Sequence, residues 1–181
     1  MRIGIAGTGR MGAAIATRLL GQGHEVAVWN RTAAKTAPLA AVGAQVAATP
    51  EALAARSEAV ITILTDAGAI DAAYRGPGGL LAGDVNGKLF IEMSTVRPET
   101  QRALAEAVRA KGAAMVECPV GGTTGPAKEG KLFGFAGGDA ADVARARPIL
   151  EQLCRRIEHV GPVGAGASMK LAISLQAPGM S

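Results

Sequence analysis

The sequence predicts an α/β architecture: a doubly wound, mainly parallel sheet with helices on both faces. Three observations carry this expectation. Short apolar runs alternate with helical patterns along the 181 residues, as βαβ units require. Aromatic residues are only 3% of a chain that is 49% hydrophobic. The core is therefore built from Ala, Val, Ile and Leu, which suits helices packed closely on a sheet buried on both faces. Finally, the first strand pattern runs straight into a glycine-rich turn and a helix.

The elements follow in order. Arg2 to Ala6 is a short apolar run that stops at Gly7, and a helical pattern opens near Arg10 with Met11, Ile15, Leu19 and Leu20. Gly21 and Gly23 end that helix. Glu25 to Trp29 is the next strand, and Thr32 can cap the Ala-rich segment after it. Thr49 before Pro50 and Glu51 marks a helix start, a capping residue followed by proline at the first helical position. Ala59 to Leu64 and Lys88 to Glu92 are strands, and Thr95 to Lys111 is a helix with Pro98 in its first turn. Met115 to Cys118 and Leu132 to Ala136 are later strands separated by a Gly-rich loop. Asp139 to Leu153 is helical, Ile157 to Val160 is a short strand, and a last helix begins after Gly164-Ala-Gly166. The segment from Gln176 to Ser181 would break that helix.

Composition excludes several classes. No apolar run reaches the ~18 residues of a membrane span. The net charge of +4 comes from scattered residues; the tightest group, Arg145, Arg147, Arg155 and Arg156, lacks the interleaved aromatics that stack bases, so no nucleic-acid partner is expected. Cys118 and Cys154 form no CxxC and no ligand pair with His24 or His159, so no metal site is expected. Two isolated thiols and the lack of a signal-peptide core point to the cytoplasm.

The strongest motif is Gly7-Thr8-Gly9-Arg10-Met11-Gly12, at the junction of the first strand and helix. The first glycine permits a tight turn, the second lets a pyrophosphate approach the backbone, and the third lets helix and strand pack closely. The unpaired N–H groups of the helix start then face the phosphates. At the end of the second strand, where NAD sites place a carboxylate for the ribose, this chain has Asn30-Arg31-Thr32. Nothing there repels a 2′-phosphate and Arg31 can pair with it, while Asn30 and Thr32 offer neutral donors. NADP is therefore expected over NAD.

Three further segments follow in order: Glu92-Met-Ser94-Thr95, Glu117-Cys-Pro-Val-Gly-Gly-Thr-Thr-Gly125, and Gly164-Ala-Gly-Ala-Ser-Met-Lys170. With the glycine-rich turn they make the chain resemble the β-hydroxyacid dehydrogenases, which include 3-hydroxyisobutyrate dehydrogenase and, more distantly, 6-phosphogluconate dehydrogenase. The resemblance implies a Rossmann-type NADP-binding domain over residues 1–162. Residues 163–181 would open an interdomain helix leading to an all-helical domain that completes the substrate site and a homodimer. It implies hydride transfer between nicotinamide and a small β-hydroxy acid or semialdehyde.

Residue by residue, the resemblance implies that the turn from Gly7 to Gly12, Asn30-Arg31 and Leu64-Thr65 line the cofactor, with Thr95 at the nicotinamide side. It puts Ser94 at the substrate, and backbone N–H groups of the Gly121-Gly122-Thr123 loop on the substrate carboxylate. Lys170 matches the catalytic lysine. Hydride transfer leaves a proton on oxygen that needs a base, and a desolvated lysine beside a positive nicotinamide serves in both directions. Ser174, four residues on and hence on the same helix face, stands where the family usually has Asn.

The chain departs from that pattern in three places. Gly121 stands where the family usually carries Ser, Ser174 has a shorter reach than Asn, and the 181 residues include only the opening of the helical domain. The sequence thus supports a second expectation, a truncated dinucleotide-binding module without turnover of its own. Imine reductases share the architecture but generally lack the lysine, so Lys170 argues against them.

Overall fold

The computed structural model describes residues 1–176; the expected helix-breaking segment at 177–181 lies outside them. β1 (Arg2–Ala6) leads into α1 (Arg10–Gly21) and β2 (Glu25–Trp29). A 3-10 turn (Ala33–Thr36) and the single turn α2 (Ala37–Ala40) precede the two-residue β3 (Gln45–Val46). Thr32 flanks this segment without making a side-chain cap. Pro38 stands inside α2, where a single turn suits its missing N–H. Thr49 does cap α3 (Pro50–Ala55), its hydroxyl accepting the Ala52 N–H at 3.1 Å.

β4 (Ala59–Thr62) stops two residues before Leu64, and α4 (Ala67–Arg75) follows, capped by Asp66. β5 (Leu89–Glu92), α5 (Pro98–Ala110) and β6 (Ala114–Glu117) complete the parallel run. The glycine-rich loop expected next is partly structured, as β7 (Val120–Gly121) and α6 (Thr124–Glu129). β8 (Leu132–Gly137), α7 (Ala140–Leu153), β9 (Cys154–Gly161) and α8 (Ala165–Gln176) end the described chain.

The sheet order is β3-β2-β1-β4-β5-β6 with all pairs parallel, then β8 antiparallel to β6 and β7, and β9 parallel to β8. Glu117↔Gly137, Val120↔Gly134 and Gly121↔Phe133 share one register, so β6 and β7 behave as one strand bent at Pro119. Two cores lie on opposite faces. Ile61, Ile91 and Val116 point to α1 and α7, where Ile15, Leu19, Ile149 and Leu153 are buried. Val60, Phe90 and Met115 point to α3, α4 and α5, meeting Leu53, Tyr74 and Leu104. Apolar side chains on both faces explain the unbroken hydrophobic runs of the central strands.

The alternation has a consequence at the strand ends. Thr62, Glu92 and Glu117 are in register on β4, β5 and β6 and share the face of Val60, Phe90 and Met115. All three are fully buried.

Candidate active site

The expected cofactor residues gather at the C-terminal ends of the parallel strands, where open α/β sheets bind ligands. Gly7 follows β1, Asn30 follows β2, Leu64 follows β4 and Ser94 follows β5. Hydrogen bonds join these ends. Gly7 N–H reaches Trp29 O at 2.9 Å and Ile63 N–H reaches Ala6 O at 3.1 Å. Thr8 N–H donates to Asn30 Oδ1 at 2.9 Å, and Thr8 Oγ1 donates to Lys35 O at 3.2 Å.

The three glycines occupy three different environments. Gly7 has φ +103°, and a Cβ there would overlap the Ile63 carbonyl. A Cβ on Gly12 would overlap the Gly7 carbonyl, whereas one on Gly9 would meet nothing within 4 Å. Gly9 is also the N-cap of the twelve-residue α1, which has no side-chain cap and no acidic residue in its first turn. The residues therefore fit a dinucleotide: an exposed glycine opens a positive helix end, with no acidic residue in the first turn competing for its backbone donors.

Arg31 and Thr32 are exposed, and Arg31 forms no ion pair among the described residues. Asn30 is engaged within the protein. Its Oδ1 takes the Thr8 N–H and its Nδ2 donates to Thr32 O at 3.0 Å, so this amide ties the turn to the end of β2. Ser94 is 1% exposed and its Oγ accepts the Leu64 N–H at 2.8 Å. It lies in the wall of the site, while Thr65 and Thr95 are exposed at its surface.

Beneath Ser94 is a buried polar network. Glu92 Oε1 accepts the Ser94 N–H at 2.7 Å, and its other oxygen meets Thr62 Oγ1, which also bonds the Tyr74 hydroxyl at 2.7 Å. Burial raises the Glu92 pKa to about 7, against the pull of these donors and of the Gln101 amide beside it. Burial likewise raises Tyr74, with the Glu92 charge adding to it. The only hint in the sequence was an acidic residue closing the apolar run LFIE.

The loop from Gly121 to Thr123 is partly open: Gly121 is half-buried, and Gly122 and Thr123 are exposed. A Cβ on Gly121 would find Phe133 Cβ at 3.9 Å, so the absent side chain is not a steric requirement. On α8, Lys170 is 8% exposed and its pKa is lowered by burial; Ser174 is exposed one turn on. The helix starts at Ala165, earlier than the glycines suggested, because Glu117 Oε1 caps it. That oxygen accepts N–H groups from Gly164 at 2.8 Å, Gly166 at 2.6 Å and Ala167 at 3.2 Å. Burial still raises the Glu117 pKa against these three donors.

Cys118 and Cys154, unrelated in sequence, both lie over Gly134, whose missing Cβ would stand 2.9 Å and 3.2 Å from their sulfurs. Burial raises both thiol pKa values, Cys154 to about 12, which suits packing rather than reactivity. No group of three metal-ligating side chains and no helix long and apolar enough to cross a membrane occurs among the described residues.

Glyoxylate/succinic semialdehyde reductase 1 of Arabidopsis thaliana is 38% identical over 97% of this chain and 61% of its own length. A 3-hydroxyisobutyrate dehydrogenase of Pseudomonas aeruginosa is 39% identical over 93% of this chain and 57% of its own. The solved Mycobacterium tuberculosis 3-hydroxyisobutyrate dehydrogenase with L-serine superposes with a TM-score of 0.90 at 31% identity, covering 97% of this chain and 59% of that one. The chain thus spans about three fifths of the length of these three relatives. The family profile for the NAD binding domain of 6-phosphogluconate dehydrogenase matches residues 2–161, and the chain belongs to that family.

Proposed function

We propose that this chain is the cofactor-binding part of an NADP-preferring oxidoreductase acting on a small β-hydroxy acid or semialdehyde. The carrying observation is Gly9, open to solvent at the uncapped start of α1 between two glycines that the backbone leaves no room to replace. Backbone N–H groups from Gly9 to Gly12 would hold the pyrophosphate, and exposed Arg31, with no carboxylate beside it, would pair with a 2′-phosphate. Leu64, Thr65 and Thr95 would line the nicotinamide half. When bound, the cofactor supplies or accepts the hydride.

The remaining steps belong to the chain's own side chains. N–H groups of Gly121, Gly122 and Thr123 would orient the substrate carboxylate, with Ser174 adding a hydroxyl. Lys170 would give a proton to the carbonyl oxygen in reduction and take it from the alcohol in oxidation. Burial lowers the Lys170 pKa, which favours both roles near neutrality. Met169 and Leu175 of α8 are 40% and 84% exposed; a second copy or a following domain is the expected cover. That exposure also favours a second reading, a binding module without turnover alone.

Fluorescence titration with NADPH and NADH, followed by NADPH oxidation with glyoxylate or succinic semialdehyde, separates the readings. Tighter NADPH with turnover is the expected result. Tighter NADPH without turnover favours the module, and equal affinities overturn the NADP preference.

A further inference from the structure

The strand ends after β4 and β5 carry two segments, Leu64-Thr65 and Ser94-Thr95, of which the proposed function assigns Leu64, Thr65 and Thr95 to the nicotinamide half. Beyond the β4–β5 ladder and the Met93 N–H bond to Thr62 O at 2.8 Å, side chains link them through the buried interior. Ser94 Oγ accepts the Leu64 N–H at 2.8 Å, the Ser94 N–H donates to Glu92 Oε1 at 2.7 Å, and the other Glu92 oxygen meets Thr62 Oγ1. Thr62 in turn bonds the hydroxyl of Tyr74 at 2.7 Å. Tyr74 is fully buried in α4, its ring 5.6 Å from Phe90, and α4 is the helix that begins directly after Thr65. Asp66 Oδ1 caps it on the Ala69 N–H at 2.8 Å. The segment Leu64-Thr65 is thus held at both ends, by Ser94 at one and by the Asp66-capped helix at the other.

Three features make this more than a satisfied core. A buried carboxyl is costly where an apolar residue would pack, and the Glu92 neighbours in its own strand, Phe90 and Ile91, are both apolar and fully buried. The network also ends at the site, on Leu64 and Ser94. Ser94 is 1% exposed, while the next residue, Thr95, is exposed at the surface. The adenine half is held elsewhere, through Thr8 and Asn30, and shares no member with it.

We propose that Glu92 is a positioning residue: through the Ser94 N–H and Thr62 Oγ1 it sets the spacing of the Leu64-Thr65 and Ser94-Thr95 segments, and so the seat of the nicotinamide ring. This inference rests on the proposed dinucleotide site. What the seat requires of residue 92 is an acceptor for the Ser94 N–H and a partner for the Thr62 hydroxyl. Glutamine supplies both, its Oε1 accepting and its Nε2 donating. Valine supplies neither and leaves the Ser94 N–H buried and unpaired, a loss that is felt in full.

The test is a pair of affinities on the chain as it exists. Adenosine 2′,5′-bisphosphate reports the adenine half alone, and NADPH reports both halves; each is titrated by calorimetry. Glu92→Val is expected to weaken NADPH about tenfold while leaving adenosine 2′,5′-bisphosphate within about twofold, and Glu92→Gln to restore NADPH to near the parent value. Ser94→Ala, which removes the hydroxyl that holds the Leu64 N–H while leaving the Ser94 N–H on Glu92, is expected to show the same split and gives the answer if Glu92→Val does not fold. NADPH affinity unchanged in folded Glu92→Val or Ser94→Ala overturns the proposal. So does a parallel fall in both ligands, which marks a purely structural role. If the parent chain binds neither ligand, the dinucleotide reading itself fails, a result distinct from these.

Discussion

Oε1 of Glu117 accepts the N–H of Gly166 at 2.6 Å, so a buried carboxyl at the end of β6 holds the first turn of the helix that carries Lys170 one turn later. A Cβ on Gly166 would overlap the Phe135 carbonyl; the helix docks by backbone contact, and Lys170 is buried as a result. Burial is the cause that lowers the Lys170 pKa. Glu117→Ala, leaving three N–H groups without their acceptor, should loosen this turn and return the Lys170 pKa toward the ordinary lysine range. NMR titration of the methylated lysine reads it; an unmoved pKa would show that α8 docks without Glu117.

The glycines of the turn should separate folding from binding. Gly12→Ala puts a methyl group into the Gly7 carbonyl and should cost several kcal/mol, as overpacking at a backbone contact does. Gly9→Ala meets nothing within 4 Å, so its unfolding midpoint in urea should stay near that of the parent while dinucleotide affinity falls. Equal stability losses in the two variants would contradict these environments.

Arg31 is expected to decide between the two cofactors. Arg31→Asp exchanges a charge-assisted bond, worth roughly 1.5–3 kcal/mol, for repulsion of the 2′-phosphate, and should turn the preference toward NADH. The ratio of the two dissociation constants checks this. A ratio that does not change removes Arg31 from the adenine site.

Stability should depend on pH through Glu92. Its carboxyl keeps its proton up to about pH 7 when folded, against a usual value of 4.5. Between those values the folded chain holds the extra proton, so stability falls as pH rises. The contribution is complete below pH 4.5 and lost above pH 7, amounting to roughly 3 kcal/mol. Glu92→Gln stays neutral throughout and should flatten this part of the profile in urea unfolding at pH 5, 6 and 8. A variant with the parent's slope would show that Glu92 does not titrate in this range.

Lys170→Ala should reduce any semialdehyde turnover by a factor of ~10²–10⁴, the contribution of a positioned acid or base. NADPH affinity should hold, because the proposed anchors are the turn from Gly7 to Gly12 and Arg31. Full turnover in the variant would remove Lys170 from the chemistry.

The local rules written into the sequence determined much of this protein. Alternating periodicity, Thr49 before Pro50, and the Gly7–Gly12 turn specify the strands, a helix start and the phosphate-facing turn, because each depends on residues within one or two turns of the chain. The tertiary structure alone decided the rest. Glu92 looked like the polar end of a strand until β4 and α4 brought Thr62 and Tyr74 against it. Ser94 and Asn30 also hold the site together, their side-chain oxygens accepting the Leu64 and Thr8 N–H groups. Cys118 and Cys154 both sit over Gly134, where β8 carries no side chain. The physical reason is common to all of them: a polar group's role is set by which partners remove it from water, and those partners lie on strands distant in sequence.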